Sequence, residues 1–315
     1  MRIVLGLLFL LLLGTFAPPS LYRPEVPPAV TFLRITPISP PDRPSEGLVF
    51  RGGWHLESND FRFGGISAMH VAGGQVVAFS DAGWLIRFPA PDGRAEGEAR
   101  IDALPVGPGD PRAKADRDVE AMAVHGPLVW LAFERINAVW RFRGGTWQAE
   151  AGAEPPGMRE WRANRGPEAM LRLPDGRFLV FSEGGGGVSD VLAFEGDPAA
   201  EGTRAIAMRY RPPVGYRITD AAMLPDGRML FLNRRTHVLA AGFSVKLTVA
   251  RLPPVADGAV IEPETLADLP RLDNLEALSV SQEGDRTIVW MASDDNYFPL
   301  QRTLLLRFEL VAPRP

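Results

Sequence analysis

The chain has 315 residues, of which 46% are hydrophobic and 23% are charged, so it can bury a sizeable core and is not a disordered tail. Its formal charge of -4, with Lys114 and Lys246 as the only lysines, leaves no clustered basic face of the kind that nucleic-acid binding requires. The sequence has no cysteine, which excludes disulfides, thiolate catalysis and Cys-ligated zinc. Its 32 glycines and 30 prolines cluster between short apolar runs, a pattern typical of turn-rich all-β proteins.

The N-terminal stretch MRIVLGLLFLLLLGTFAPPS has the layout of a secretory signal peptide. Arg2 precedes an apolar run that ends at Leu13, and Ala17 offers a cleavage site before two prolines. An uncleaved anchor facing the periplasm is the alternative, but the run is shorter than the roughly 20 apolar residues that span a bilayer. We therefore expect a signal peptide over residues 1–17, a Pro-rich segment over 18–46 and a single domain over 47–315 in a periplasmic or secreted protein.

Five segments of the chain then repeat one pattern: a polar residue, a strand of small apolar residues, a tight turn, and a more apolar strand that ends in polar residues. They contain GGISAMHV, DVEAMAV, GPEAMLRL, ITDAAML and NLEALSV. The first polar positions recur at intervals of 48 to 56 residues, at Ser67, Glu120, Glu168, Asp220 and Glu276. Each interval has room for about four strands with their turns. The period predicts a β-propeller of four-stranded antiparallel blades.

The last repeat is too short to supply its own outermost strand. The stretch EGLVFRGGWHLES, which precedes the first repeat, is predicted to fill that place and close the ring, which removes exposed sheet edges. Five repeats are counted, and a sixth blade built from VTFLRITPI is the alternative. No amphipathic helical period is present, so a Rossmann fold or a helix-bearing barrel is disfavoured.

Two of the turns carry the sequence Pro-Asp-Gly, which is ordinary hairpin chemistry. Proline fixes φ at the start of such a turn, and glycine tolerates the positive φ that follows. Asp175 and Asp226 are therefore interpreted as turn residues, because the alternating ligands and closing Glu of an EF-hand are missing from the sequence.

The repeat gathers polar residues at one end of the predicted channel. The first strand of a blade lines the channel and the second returns beside it, so the start of the first strand and the end of the second lie at the same mouth. The second strands end at Asp81, Glu134, Glu183, Arg234 and Asp294. So many carboxylates in one concavity imply protonation or a bound cation. Hard oxygen ligands, with only four scattered histidines, favour Ca²⁺.

Three stretches of the sequence resemble the phytase-like family, whose description refers to an esterase-like activity of phytase. They are NRGPEAMLRLPDGRFLVFSEG, ITDAAMLPDGRMLFLNRR and DNLEALSVSQEGDRTIVWMASDDNYFPLQRTLLLRFEL. The resemblance runs from about Gly52 to Leu310 and is most specific at NLEAL, SDDNY and QRTLLLRF. It implies an exported bacterial propeller that hydrolyses phosphate esters or other small esters. In calcium-dependent propeller phytases, calcium ions at the mouth bind substrate phosphates and activate a water.

The repeat and the resemblance together predict a role for each polar residue of the mouth. The predicted Ca²⁺ ligands are Glu120, Glu168, Glu276, Asp294 and Asp295. The predicted catalytic residues, which position water, are Glu183 and Asp220. The residues expected to bind substrate phosphate, as cationic donors to anionic oxygens, are Arg135, Arg165 and Arg234. Ser67 and Arg234 stand where other repeats hold acids, so the acidic ring is incomplete there.

Two other functions remain open at the level of sequence. The first is a non-catalytic propeller that binds a ligand or a protein, with a structural calcium or a solvated channel whose acids are neutralised by flanking arginines. Those arginines are Arg117, Arg135, Arg165, Arg217 and Arg234. The second is a lactonase-like propeller that uses one metal ion on a cyclic ester. If the protein is catalytic, its partner is a small ester substrate. We expect it to bind neither nucleic acid nor, once the signal peptide has been cleaved, a membrane.

Overall fold

The computed structural model describes residues 27–41, 47–184, 187–237 and 242–311. The predicted signal peptide lies outside these residues. Within them the chain is almost entirely β, with one 3-10 turn at Lys114–Asp116 and one short helix, α1, at Pro156–Arg159. None of the helices in these ranges has the length and apolar character needed to cross a membrane.

The strands begin with a hairpin and continue as five sets, here called repeats 1 to 5, each of which contains four antiparallel strands when one strand of the hairpin is counted with the fifth set. The hairpin consists of β1 (Ala29–Pro37) and β2 (Leu48–Glu57). Repeat 1 contains β3 (Ile66–Ala72), β4 (Gln75–Ser80), β5 (Trp84–Pro89) and β6 (Glu96–Ala103). Repeat 2 contains β7 (Val119–His125), β8 (Leu128–Phe133), β9 (Ala138–Arg143) and β10 (Gln148–Ala153).

The remaining repeats follow the same order from the inner strand outward. Repeat 3 contains β11 (Pro167–Arg172), β12 (Phe178–Ser182), β13 (Ser189–Phe194) and β14 (Ala205–Tyr210), extended by the short parallel strand β18 (Val260–Ile261). Repeat 4 contains β15 (Arg217–Met223), β16 (Met229–His237), β17 (Gly242–Ala250) and β19 (Glu264–Leu272). Repeat 5 contains β20 (Leu275–Glu283), β21 (Arg286–Ser293), β22 (Thr303–Leu310) and, as its fourth strand, β2.

The inner strands form a closed ring, as the predicted propeller requires. β3, β7, β11, β15 and β20 each contact the next, and β20 returns to contact β3. One apolar core lies between each pair of neighbouring repeats. The second strands are almost wholly buried, as in the FLVFS stretch of β12, because both faces of each sheet pack against a neighbour. The β-propeller predicted from the sequence is confirmed.

The N-terminal hairpin completes the ring in the predicted manner. β2 pairs antiparallel with β22 over Leu48–Leu56 and so becomes the outermost strand of repeat 5. β1 pairs with β2 on one side and with β6 on the other, which joins repeats 5 and 1 into one nine-stranded sheet. The stretch VTFLRITPI thus bridges two repeats, and this sheet contains strands from both sides of the predicted domain boundary at residue 47.

The Pro-Asp-Gly turns adopt the predicted hairpin conformation. Gly176 and Gly227 have φ of 92° and 80°, which only glycine adopts without strain. Asp175 Oδ1 accepts the backbone N–H of Arg177 at 3.1 Å, and Asp226 makes the same bond with Arg228 at 3.0 Å. These carboxylates are turn residues, as interpreted from the sequence.

Candidate functional site

Each inner strand begins with a β-bulge at the mouth of the channel. One residue of each strand is left out of the pairing with the second strand, at Ser67, Glu120, Glu168, Thr219 and Glu276. A bulge bends the strand and re-aims a side chain, and bulges are common beside active sites. Three glutamates therefore occupy equivalent positions in repeats 2, 3 and 5.

The bulge of repeat 4 lies one residue earlier than the sequence alignment predicted, at Thr219 and not at Asp220. Thr219 and Ser67 make the same contact, since each hydroxyl donates to a carbonyl oxygen on the inner strand of the next repeat. Ser67 Oγ lies 2.5 Å from the Val119 oxygen, and Thr219 Oγ1 lies 3.3 Å from the Leu275 oxygen. The alignment at Asp220 was wrong by one residue because Thr219 and Asp220 are adjacent polar residues, and either can be taken as the first polar position of the repeat.

Asp220 is buried and binds backbone on both sides. Its Oδ1 accepts the N–H of Ala221 at 2.7 Å, and its Oδ2 accepts the N–H of Leu278, on the inner strand of repeat 5, at 2.7 Å. Burial raises the pKa of this carboxyl well above its usual range, although the two amides oppose the shift. The Asp220 carboxylate thus links repeats 4 and 5. Both of its oxygens already accept hydrogen bonds, so neither is free for the predicted catalytic role.

The residues at the ends of the second strands lie at the same mouth as the bulges. The backbone N–H groups of Asp81, Glu134, Glu183 and Asp294 donate to the carbonyl oxygens of Gly65, Asp118, Gly166 and Asn274. In repeat 4, Arg234 is paired with Arg217. Every repeat therefore presents three residues to the mouth: one two positions before the bulge, the bulge residue, and one on the second strand or directly after it, which in repeat 4 is Arg234 within β16.

Repeat 2 places a carboxylate at all three of these positions. One oxygen from each of Asp118, Glu120 and Glu134 lies within 4.8 Å of the others. Burial, reinforced by the charge of Asp81, raises the pKa of Asp118 to about 6. Burial and the charges of Asp118 and Glu183 raise the pKa of Glu134 to about 8. Burial and the charge of Asp118 hold the pKa of Glu120 well above its usual range.

The cations near repeat 2 lie at its edges. Arg135 Nε donates to Asp118 Oδ2 at 3.0 Å, but 48% of the Arg135 side chain is exposed and such pairs are weak. Lys114 Nζ lies 2.5 Å from Asp81 Oδ2 of repeat 1, and its charge also lowers the pKa of Asp118. Arg165 is half-buried and forms no ion pair within the part of the chain that the structure describes.

Repeat 4 has the opposite character, because its mouth positions hold Arg217, Thr219 and Arg234. Arg217 Nη1 donates to Glu183 Oε1 of repeat 3 at 2.8 Å. Arg234 Nη1 donates to Glu276 Oε1 and Asn274 Oδ1 of repeat 5. The mouth therefore has an acidic side at repeat 2 and a cationic side at repeat 4.

Glu168 and Glu183 of repeat 3 lie between these two sides. Burial, with the charges of Glu134 and Glu183, raises the pKa of Glu168 well above its usual range, and Arg234 opposes the shift. Glu183 is held by Arg217 at the rim of the mouth. The predicted ligand Glu168 is thus in the field of the repeat 2 cluster, whereas Glu276 is paired with Arg234.

The SDDNY stretch uses its carboxylates to build a turn and to join repeat 5 to repeat 1. Asp294 Oδ1 accepts the N–H of Asn296 at 2.6 Å. Asp295 Oδ1 accepts the N–H groups of Gly65 at 2.9 Å and Tyr297 at 3.0 Å, and its Oδ2 accepts the Thr303 hydroxyl at 2.8 Å. Asp295 is predicted from the sequence as a metal ligand, but its oxygens are committed to these bonds.

The chemistry of the donor set fits a hard divalent cation at repeat 2. Ca²⁺ takes six to eight oxygen ligands, and Asp118, Glu120 and Glu134 supply three closely spaced carboxylates that water can complete. Sequence reasoning named Glu120 as a ligand and Glu134 as a neighbour but did not select Asp118. The signal that could have found it is the DVE spacing, because residues two apart lie on one face of a strand.

Comparison with known proteins gives similarities of fold and one family. No curated protein sequence matches the chain. The solved structures that are similar include the glutaminyl cyclase of Myxococcus xanthus, at 11% identity with a TM-score of 0.48, covering 84% of this chain and 97% of that one. The Cps50 (Swd1) β-propeller domain of Myceliophteria thermophila has 10% identity and a TM-score of 0.43, covering 89% of this chain and 100% of that one.

The family comparison agrees with the resemblance predicted from the sequence. The family model described as "Phytase-like: Esterase-like activity of phytase" matches residues 61–297, which include the mouth residues of all five repeats from Gly65 to Asp294. With more than half of its length matched, this chain belongs to the Phytase-like family.

Proposed function

We propose that the protein is an exported, calcium-dependent propeller hydrolase that acts on phosphate esters or related small esters. The observation that carries the proposal is the cluster of Asp118, Glu120 and Glu134, whose oxygens lie within 4.8 Å of one another. Burial and the neighbouring acids raise the pKa of all three carboxyls, and strongly perturbed acids of this kind cluster at functional sites. Export is proposed from the N-terminal sequence and from the family, whose resemblance implies exported members.

In this proposal Asp118, Glu120 and Glu134 hold Ca²⁺, with Glu168 beside them. When bound, Ca²⁺ supplies charge stabilisation for ester oxygens and lowers the pKa of water. Glu168 and Glu183 are the groups that can accept a proton from water, because both lie next to the cluster and Glu183 reaches the rim. Arg165 and Arg135, at the rim, orient the anionic part of the substrate.

The proposal is tested on the chelator-stripped full chain. Hydrolysis of p-nitrophenyl phosphate, p-nitrophenyl acetate and a lactone panel is measured with and without Ca²⁺, alongside thermal melting. We expect Ca²⁺ to raise the melting temperature, since a ligand that binds only the folded state stabilises it, and to switch on hydrolysis. Glu120→Gln should lose both effects. The matched control is Glu98→Gln, an exposed glutamate on the outer strand β6.

The second candidate is a non-catalytic propeller that binds a ligand or a protein. It is favoured by the ion pairs that balance much of the mouth without metal, namely Arg217–Glu183, Arg234–Glu276 and Lys114–Asp81. In that case Ca²⁺ either stabilises the protein with no hydrolysis on any substrate or has no effect. Hydrolysis of lactones alone would instead select the lactonase-like alternative.

A further inference from the structure

Arg234 is fixed among acids on the side of the mouth opposite the repeat 2 cluster. Its Nη1 donates to both Glu276 Oε1 and Asn274 Oδ1, and Asn274 Nδ2 donates to the same Glu276 oxygen at 3.0 Å. The guanidinium also lies over the Phe243 ring, 5.7 Å from its centroid. Only 19% of the side chain is exposed, so the cation is held on several sides and is largely screened from water.

The charge around Arg234 is what a second metal ion would require. Glu276, Glu168, Glu183 and Asp294 all act on its guanidinium, and together with Asn274 they supply the carboxylate and amide oxygens that Ca²⁺ prefers. A guanidinium carries five N–H donors, does not lose its proton in proteins and therefore remains a cation at every working pH. A Ca²⁺ ion in this position would have to displace it and overcome its charge.

We propose that Arg234 is a tethered cation that takes the place of a metal ion in the repeat 4 to repeat 5 half of the mouth, and so limits the native protein to one Ca²⁺. The number of ions rests on the proposed function, because the single native site is the repeat 2 cluster. The exclusion by Arg234 does not, since it concerns the oxygens of Glu276, Asp294 and Asn274, which are not part of the repeat 2 cluster.

The test counts Ca²⁺ ions bound to the chelator-stripped full chain by isothermal titration calorimetry. We expect one ion for the native chain and two for Arg234→Met, which removes the guanidinium and keeps an unbranched apolar stem. Arg217→Met is the matched control, because it removes the same charge from the same repeat at a side chain that is 49% exposed and pairs with Glu183. It should bind one ion.

The outcomes separate the inference from the proposed function. One ion in both the native chain and Arg234→Met overturns the inference and leaves the proposed function intact. No ion in the native chain and one in Arg234→Met supports the inference and refutes the native calcium site. No ion in either overturns both. A second ion in Arg217→Met as well would overturn the inference, because any loss of positive charge would then suffice.

A second variant covers the case in which Arg234→Met does not fold. Arg234→Met/Glu183→Gln has the native net charge and retains Glu276, Glu168, Asp294 and Asn274 around the vacated position. It should bind two ions, and the melting temperature should rise further with Ca²⁺ than that of the native chain. A single ion with a native-like melting response would contradict the inference.

Discussion

At the scale of single residues, the bulge position decides what each repeat contributes to the mouth. The hydroxyls of Ser67 and Thr219 each donate to a carbonyl oxygen of the next repeat and so help to hold the ring of inner strands together. Glutamate at the same position in the other three repeats is longer and acidic, and its carboxylate joins the charges of the mouth. The chemistry of the site is therefore set by three glutamates on a backbone feature that all five repeats share.

Asp220 provides the residue-scale prediction, because its two oxygens accept backbone N–H groups of repeats 4 and 5. Replacing Asp220 with Ala should lower the free energy of unfolding by about 1–3 kcal/mol, since buried N–H groups are left without acceptors. The measurement is urea-induced unfolding, with Asp257→Ala, at an exposed turn, as the control. Unchanged stability in Asp220→Ala would contradict the structural role and leave the carboxylate free for the catalytic role predicted from the sequence.

The sequence was informative about which residues reach the mouth and less so about what each one does there. The repeat period correctly located the ends of the second strands in four repeats, from Asp81 to Asp294, whereas in repeat 4 the strand β16 continues past Arg234 to His237. The fourth repeat was misaligned by one residue, because Thr219 and Asp220 are both polar and their polarity does not indicate which of them is the bulge residue. The hydrogen bond from the Gly65 N–H to the Asp295 carboxylate joins residues 230 positions apart, and no local sequence pattern predicts that contact.

At the scale of elements, β2 holds the ring closed by pairing distant parts of the chain. It pairs with β22 on one side and β1 on the other, while β1 continues to β6 of repeat 1. The closing strand was predictable because the fifth repeat visibly lacked one strand. The contact of β1 with β6 was not, because an edge strand of ordinary composition does not specify its partner.

Leu56 tests whether this closure is part of the cooperative core. It is 2% exposed on β2 and packs in the core between repeats 5 and 1. Leu56→Ala should cost about 2–5 kcal/mol by removing buried methyl groups and leaving a cavity. Val49→Ala, on the same strand at a residue that is 37% exposed, should cost about 1 kcal/mol or less. We expect Leu56→Ala to show a large loss of stability in a single unfolding transition. A separate transition that precedes the main one would mean that β2 opens independently.

At the scale of the whole molecule, the mouth is polarised by charges that belong to different repeats. The acids of repeat 2 face a ring in which repeat 4 supplies Arg217 and Arg234, each paired with an acid of a neighbouring repeat. The sequence indicated both the acids and the arginines but could not pair them, because the pairs cross from one sheet to the next. The outcome is a mouth in which three closely spaced carboxylates, Asp118, Glu120 and Glu134, lie on the side of repeat 2.

This concentration of acid predicts how stability depends on pH. The pKa values of Asp118 and Glu134 are raised to about 6 and about 8, so between the ordinary carboxyl pKa and these values the folded protein binds more protons than the unfolded chain. The free energy of unfolding must then fall as pH rises through this window. Metal-free protein should therefore melt at a higher temperature at about pH 5 than at about pH 9.

Ca²⁺ should act in the opposite direction, because its ligands must be deprotonated. Its stabilising effect should be small at about pH 5 and grow towards about pH 9, with protons released on binding. Melting curves over this range, with and without Ca²⁺, measure both slopes, and Glu134→Gln should flatten the metal-free slope while Glu98→Gln should not. A metal-free melting temperature that is constant or rises with pH would contradict the charge arrangement, since it would mean that the acids of repeat 2 are already compensated in the folded protein.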